Sequence, residues 1–185
     1  MRFRMLPAIV MAAVLVLAGC TPTPPSVTPE PVPSSTPVFA SDEDALAAAT
    51  AAYAKYLEVS DQITADGGKS PDRIAKFVTS NQLVHELDGF KQWSEPDDSS
   101  VGSSQFDTVS LQRYDDIAGG KSVVVVYLCV DVSAVRIMNA AGTDVTPATR
   151  PNRYPLEVEF DANSAADPEL VISRSEPWSG NNFCQ

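Results

Sequence analysis

From Lys121 to Ser133 apolar side chains fall so regularly on alternate residues that a β-strand is the structure that gathers them on one side. Val124, Val126, Leu128, Val130 and Val132 form one face, which is wholly apolar. Val123, Val125, Tyr127, Cys129 and Asp131 form the other, apolar at one end and polar at the other. Such a strand belongs to an antiparallel sheet with one face on a core and the other half exposed. The rest of the chain has to supply the cover.

Helices upstream are suited to that. Ser41 can cap, and Asp42, Glu43 and Asp44 sit where a helix dipole is positive. Leu46, Ala49, Tyr53, Leu57, Ser60 and Ile63 then recur every three or four residues, in an alanine-rich body, until Gly67-Gly68. This spacing predicts a helix over 42–65. Ser70-Pro71-Asp72 reads as a second start, with serine as N-cap and proline at the first helical position. Ile74, Phe77 and Val78 give it an apolar face; Thr79-Ser80-Asn81 can break and recap it. Leu83, Val84, Leu87 and Phe90 continue with helical spacing, so two short helices or one kinked helix run to about Phe90. Residues 94–102 read as a polar loop.

The other strands follow the same period of two. Residues 104–114 precede the central strand, across a turn over 115–120. Val135 to Met138 runs into a turn over Asn139 to Asp144, and Pro147 to Pro151 form a loop. Tyr154, Leu156, Val158 and Phe160 alternate with Pro155, Glu157, Glu159 and Asp161, and 169–175 make a last strand after a turn over 163–168. Helices first and strands after them predict an α+β domain. The aromatic tail, Trp178 to Phe183, is expected to pack down.

The N-terminus carries a different message. Arg2 and Arg4 precede an apolar run from Met5 to Ala18 that falls short of the roughly 20 residues a spanning helix needs. Leu17-Ala18-Gly19-Cys20 closes that run. This arrangement resembles the signal and lipobox of bacterial lipoprotein precursors. The resemblance implies cleavage between Gly19 and Cys20 and a diacylglyceryl group on the Cys20 thiol, with residues 1–19 removed. The competing reading is an uncleaved anchor with an incidental cysteine. Two acyl chains hold a protein stably at a membrane, where one binds only marginally. Residues 20–40 then form a tether rich in Pro, Thr and Ser, which has too little to bury to order itself. In polyproline II it reaches on the order of 50 Å. A plain spacer is expected, a Pro-rich ligand for a partner domain being the alternative. The domain proper is 41–185.

An extracytoplasmic location leaves Cys129 and Cys184 as an even pair in an oxidising compartment. Their disulfide would close a loop of roughly 55 residues, for about 4 kcal/mol on a chain-entropy model. The alternative is two separate small apolar residues; a metal pair lacks further soft ligands. The whole chain has a formal net charge of −11, and loss of Arg2 and Arg4 makes it two units more negative. That excludes nucleic acid, whose phosphates call for Lys and Arg.

The order of long helix, short helices and curved sheet resembles the NTF2-like cone, which is related to the cystatin-like group. Cys129-Val130-Asp131-Val132-Ser133, then Asn139 to Val145, closed by Trp178 and Cys184, is similar to small secreted NTF2-like lipoproteins of actinobacteria. Members of the fold include isomerases, dehydratases, cyclases, transport adaptors and accessory domains of cell-wall enzymes, so the fold does not supply the function.

Local motifs add no chemistry. Gly68-Lys69-Ser70 and Gly120-Lys121-Ser122 lack the upstream glycine of a phosphate loop, Ile63 and Asp115 standing there. His85-Glu86 lacks a second histidine, Gly89 taking that place, so neither a zinc site nor a triad forms and no metal or other cofactor is expected. Asp97-Asp98 lack calcium-loop spacing. NTF2-like enzymes place an acid and one or two tyrosines inside the cone. The candidates here are Tyr53, Tyr127 and Asp131, with Tyr56 and Tyr114 as further inward tyrosines, though no motif carries a catalytic role onto them. The expected function is that of a membrane-anchored extracytoplasmic lipoprotein, a non-catalytic binding or accessory module for an envelope protein or small ligand. The alternative is an extracytoplasmic isomerase or lyase using a pocket acid and a tyrosine.

Overall fold

The computed structural model describes residues 37–117, 121–164 and 167–185. The signal segment, with Gly19 and Cys20, and most of the tether lie outside the described residues, as do Gly119 and Gly120.

Helix α1 spans Asp42–Ala65. The Ser41 hydroxyl oxygen accepts from the Asp44 N–H at 3.2 Å, as an N-cap does. At the other end the Gly68 N–H donates to Ile63 O at 2.8 Å and the Gly67 N–H to Thr64 O at 3.1 Å, a Schellman closure. Gly67 and Gly68 have φ of +65° and +72°. A Cβ on Gly68 would stand 2.6 Å from the Phe90 carbonyl, so the glycine also lets α1 end against the next helix. A 3-10 turn, Pro71–Lys76, follows. Ser70 does not cap it: its φ is +49° and its side chain makes no capping bond. The turn closes through the Ser70 carbonyl instead, which accepts from the Arg73 N–H at 3.3 Å. Helix α2, Ser80–Ser94, is capped by Thr79 and runs one turn beyond Phe90. Its buried residues are Gln82 and Phe90, while Val84 is 66% exposed.

Four antiparallel strands form the main sheet in the order β2 (Gln105–Ile117), β3 (Lys121–Asp131), β5 (Arg153–Ser164), β6 (Asp167–Pro177). A small second sheet pairs β1 (Ser99–Val101) with β4 (Arg136–Met138), so the expected loop over 94–102 contains a strand. Strand β2 bulges after Asp107, where Thr108 takes φ +53°. The free edge of β6 is partly covered by the segment before α2: the Ile172 N–H donates to Phe77 O and the Thr79 N–H to Ile172 O, both at 2.8 Å.

The core lies between α1 and the inner face of the sheet. Val124, Val126, Leu128 and Val130 of β3, with Leu156, Val158 and Phe160 of β5, meet Ala45, Ala49, Tyr53 and Ile63 of α1. Alanine at 45 and 49 lets the helix axis approach the sheet, and both are fully buried. The architecture is therefore mixed helix and antiparallel sheet, α+β. Val38 and Phe39, inside the stretch expected as tether, already pack on this core. The Phe39 N–H donates to the Tyr114 hydroxyl at 2.9 Å, and that hydroxyl donates to Asp116 Oδ1 at 2.9 Å.

The outer face of the sheet is closed by the tail. Cys129 and Cys184 are disulfide-bonded, with Cα atoms 5.6 Å apart. Trp178 and Phe183 lie on Tyr127, ring centroids 4.6 and 5.7 Å away. No helix among the described residues is long and apolar enough to cross a membrane.

Candidate functional site

A cleft of about 510 Å³ lies on the helix side, between the second half of α1, helix α2 and the Asp131 end of β3 and β5. Helical spacing brings Tyr53, Tyr56, Leu57, Ser60, Asp61 and Thr64 to one wall. The facing wall takes Val130, Tyr154 and Leu156 from the strands, and the loop before β5 adds Arg150. Glu86 and Trp93 come from α2. A depression of about 750 Å³ beside Asp66, Arg73 and Asn139 is larger but has no aromatic lining, and Arg73 there is already paired with Asp66 at 2.8 Å.

The acids of the cleft are engaged within the protein. Asp61 Oδ2 accepts the Ser104 N–H and Oδ1 the Ser104 hydroxyl, each at 2.7 Å. Glu86 Oε2 accepts the Tyr56 hydroxyl at 2.9 Å and Oε1 the Gln82 amide at 2.8 Å. Arg150 Nη2 donates to Val132 O at 2.9 Å and to Val135 O at 2.8 Å. The tyrosines are hard to ionise. Burial pushes Tyr53 far above the ordinary phenol range, reinforced by Tyr154, Glu86 and Asp61. Tyr56 is raised by burial and then by the Glu86 charge. Tyr154 is raised by burial against an opposing pull from Arg150. All three therefore remain protonated donors at neutral pH.

The expected trio of Tyr53, Tyr127 and Asp131 does not assemble. Tyr53 lines the cleft, but Tyr127 and Asp131 point from the opposite face of β3, Tyr127 beneath Trp178 and Phe183. Asp131 is also the wrong kind of acid for proton shuttling. Its carboxyl is held below the usual range by Ser133, whose N–H donates to Oδ1 at 2.8 Å, and by Arg153. Tyr114 is taken up with Phe39 and does not line the cleft. Tyr56 does, as one of the further inward tyrosines. Asp61, Glu86, Arg150 and Tyr154 were missed as cleft residues. Tyr154 shares the parity of Leu156, Val158 and Phe160, a signal that places it inward. Asp61 and Arg150 gave none, because their partners are distant in sequence. His85 is exposed on α2. Among the described residues no three His, Cys, Asp or Glu side chains are grouped to hold a metal ion.

No family model matches the chain, and no curated protein is similar to it in sequence. Solved structures do resemble it. The intermembrane space region of the chloroplast protein ARC6 superposes with a TM-score of 0.52 at 10% identity, over 73% of this chain and 97% of that one. A periplasmic fragment of TraM gives a TM-score of 0.48 at 11% identity, over 77% of this chain and 100% of the fragment. At such identity the likeness to the ARC6 region is one of fold.

Proposed function

We propose that this chain is an extracytoplasmic lipoprotein, anchored through a diacylglyceryl group on Cys20 and cleaved after Gly19, whose NTF2-like cone serves as a binding module of the cell envelope. The observation that carries the binding reading is the state of the cleft carboxylates. An acid that shuttles protons needs an oxygen free to face its substrate. Here both oxygens of Asp61 and both of Glu86 already accept hydrogen bonds from the protein, bracing α1 to the β1–β2 connection and to α2. What remains for a ligand is an aromatic wall, which suits binding.

Val38 and Phe39 enter at Tyr114 and Asp116, which pair with Val124 and Ser122 near one end of β3. The cleft lies by Val130, about 20 Å further along at the rise of a strand.

Replacing Cys20 by serine tests the anchor: the variant should lose acylation, keep its leader and leave the lipoprotein fraction. Correct cleavage and unchanged membrane fractionation of Cys20→Ser would sink it. The alternative, an isomerase or lyase, is favoured by one feature, the Tyr56–Glu86 pair in the cleft wall. It requires a turnover that Glu86→Gln abolishes without unfolding the chain.

A further inference from the structure

The chain covers one edge of its main sheet and leaves the other open. On β6 the segment before α2 pairs with Ile172 through Phe77 and Thr79. On β2 no backbone group from outside the sheet bonds to the strand among the described residues. An edge strand turns every second N–H and C=O outward, a template for another chain. Beside the start of that edge lies a groove of about 580 Å³, between α1 and residues 102–106. Ala54 and Ala65, both exposed, keep its helix wall low, and Leu57 and Phe106 give it apolar surface. Phe106 is fixed there, its ring edge-on to Tyr53 with centroids 4.9 Å apart.

Charge selects the occupant. The groove is bordered by Glu58 and Asp61 and by no Lys or Arg. Asp61 is committed to Ser104, but Glu58 is exposed and accepts only from the Gln62 amide, at 3.4 Å, among the described residues. A second copy of the chain fits poorly. Strand β2 carries Asp107, Asp115 and Asp116 against Arg113 alone, on a chain of net charge −11, so self-pairing sets like charges together. We propose that this groove and the Gln105–Asp107 edge take a short extended segment of a partner protein, with a Lys or Arg two residues from an apolar one. That spacing puts both side chains on the helix side of an added strand. The basic group meets Glu58, and the apolar one rests on Leu57 and Phe106. The bulges after Asp107 and Leu111 break the register of the edge, so the added strand is short. The surface shares Leu57, Asp61 and Ser104 with the cleft but does not depend on what the cleft binds.

The test uses the nitrogen-15-labelled full chain and three acetylated, amidated pentapeptides. Thr-Lys-Thr-Val-Thr puts Lys and Val on one side of a strand. Thr-Glu-Thr-Val-Thr changes the charge, and Thr-Lys-Val-Thr-Thr keeps the charge but sends Lys and Val to opposite sides. The first peptide should bind about fivefold tighter than the glutamate peptide, as one exposed ion pair allows, and tighter than the rearranged one. Amide shifts and slowed hydrogen exchange should centre on Gln105–Asp107. Glu58→Lys, at an exposed position, should reverse the order of the first two peptides. Equal affinity of those two, no shifts at Gln105–Asp107 with any peptide, or an order that Glu58→Lys leaves unchanged overturns the proposal. So does a concentration-dependent dimer that protects the same amides, which would give the edge to a second copy. The reading of the cleft as a binding site stands in every one of these cases.

Discussion

Tyr56 and Glu86, thirty residues apart in sequence, meet at 2.9 Å and tie the two helices together over the cleft. Tyr53 lies three residues earlier, its ring 5.7 Å from that of Tyr56, yet its hydroxyl has no partner among the described residues. The two phenylalanine substitutions should therefore differ. Tyr56→Phe removes a bond to a charged acceptor and should cost about 1–2 kcal/mol in urea denaturation. Tyr53→Phe should be close to neutral. Equal costs would mean that the Tyr56–Glu86 bond contributes nothing.

Asp61 secures the connection between β1 and β2 through its two bonds to Ser104. Asp61→Ala strands the partly buried Ser104 N–H and hydroxyl, and should destabilise the domain by about 2–3 kcal/mol. Asp61→Asn keeps one acceptor oxygen and should lose less. Chemical denaturation of the two variants side by side checks the order.

How far the sequence foretold this molecule depends on which residues set each feature. Strand β3 was legible because from Val124 onward one parity holds only valine and leucine; Ser122, on the same face, is the buried exception at its start. Helix α1 was legible because Ser41 and Gly67-Gly68 mark both ends chemically. Helix α2 was not read correctly in rotation. Val84 fits an apolar stripe yet faces solvent, and Gln82 is buried because its amide donates to Glu86, a pairing that propensity does not encode. The cleft was half legible: Tyr53 was found, but Tyr127 and Asp131 were set with it. The alternation that puts Val126 against the helices already sends Tyr127 away from them. Arg150 lies in a loop where no periodicity operates, and only tertiary contact with the Val132 and Val135 carbonyls brings it to the cleft.

The Cys129–Cys184 bond spans 55 residues and holds the tail over Tyr127. Replacing both cysteines by serine should cost about 4 kcal/mol, mostly by freeing the unfolded chain. The same variant should lose near-ultraviolet dichroism from Trp178 as its ring leaves Tyr127. A stability unchanged by the double substitution would show that the aromatic contacts alone hold the tail.

Among the described residues the first to pack on the core are Val38 and Phe39, where the Phe39 N–H is held by Tyr114. Deleting residues 22–37 should leave the thermal midpoint unchanged. Extending the deletion through Phe39 should lower it, because it removes the edge-on Phe39–Tyr114 ring contact at 5.7 Å as well as the hydrogen bonds. A loss of stability from the shorter deletion would contradict the spacer reading.

The most acidic-shifted carboxylate on the outer face is Asp107, which Arg153 of β5 grips through both terminal nitrogens while its Nε donates to the Cys184 carbonyl at 2.9 Å. Its pKa is lowered from 3.8 to about 2, first by the Arg153 bonds and then by the Thr108 hydroxyl. A folded pKa below the unfolded one means that ionised Asp107 favours the folded state. The benefit is present above pH 3.8 and is lost as pH falls through about 2. The pair is exposed, so the effect on stability is small and screened by salt. Side-chain carboxyl NMR should give Asp107 a midpoint near 2. In Arg153→Gln that midpoint should climb back toward 3.8. Asp131, lowered chiefly by Ser133, should move much less in the same variant. Parallel movement of both carboxyls would show that Arg153 acts through the general field of the sheet face rather than through its grip on Asp107.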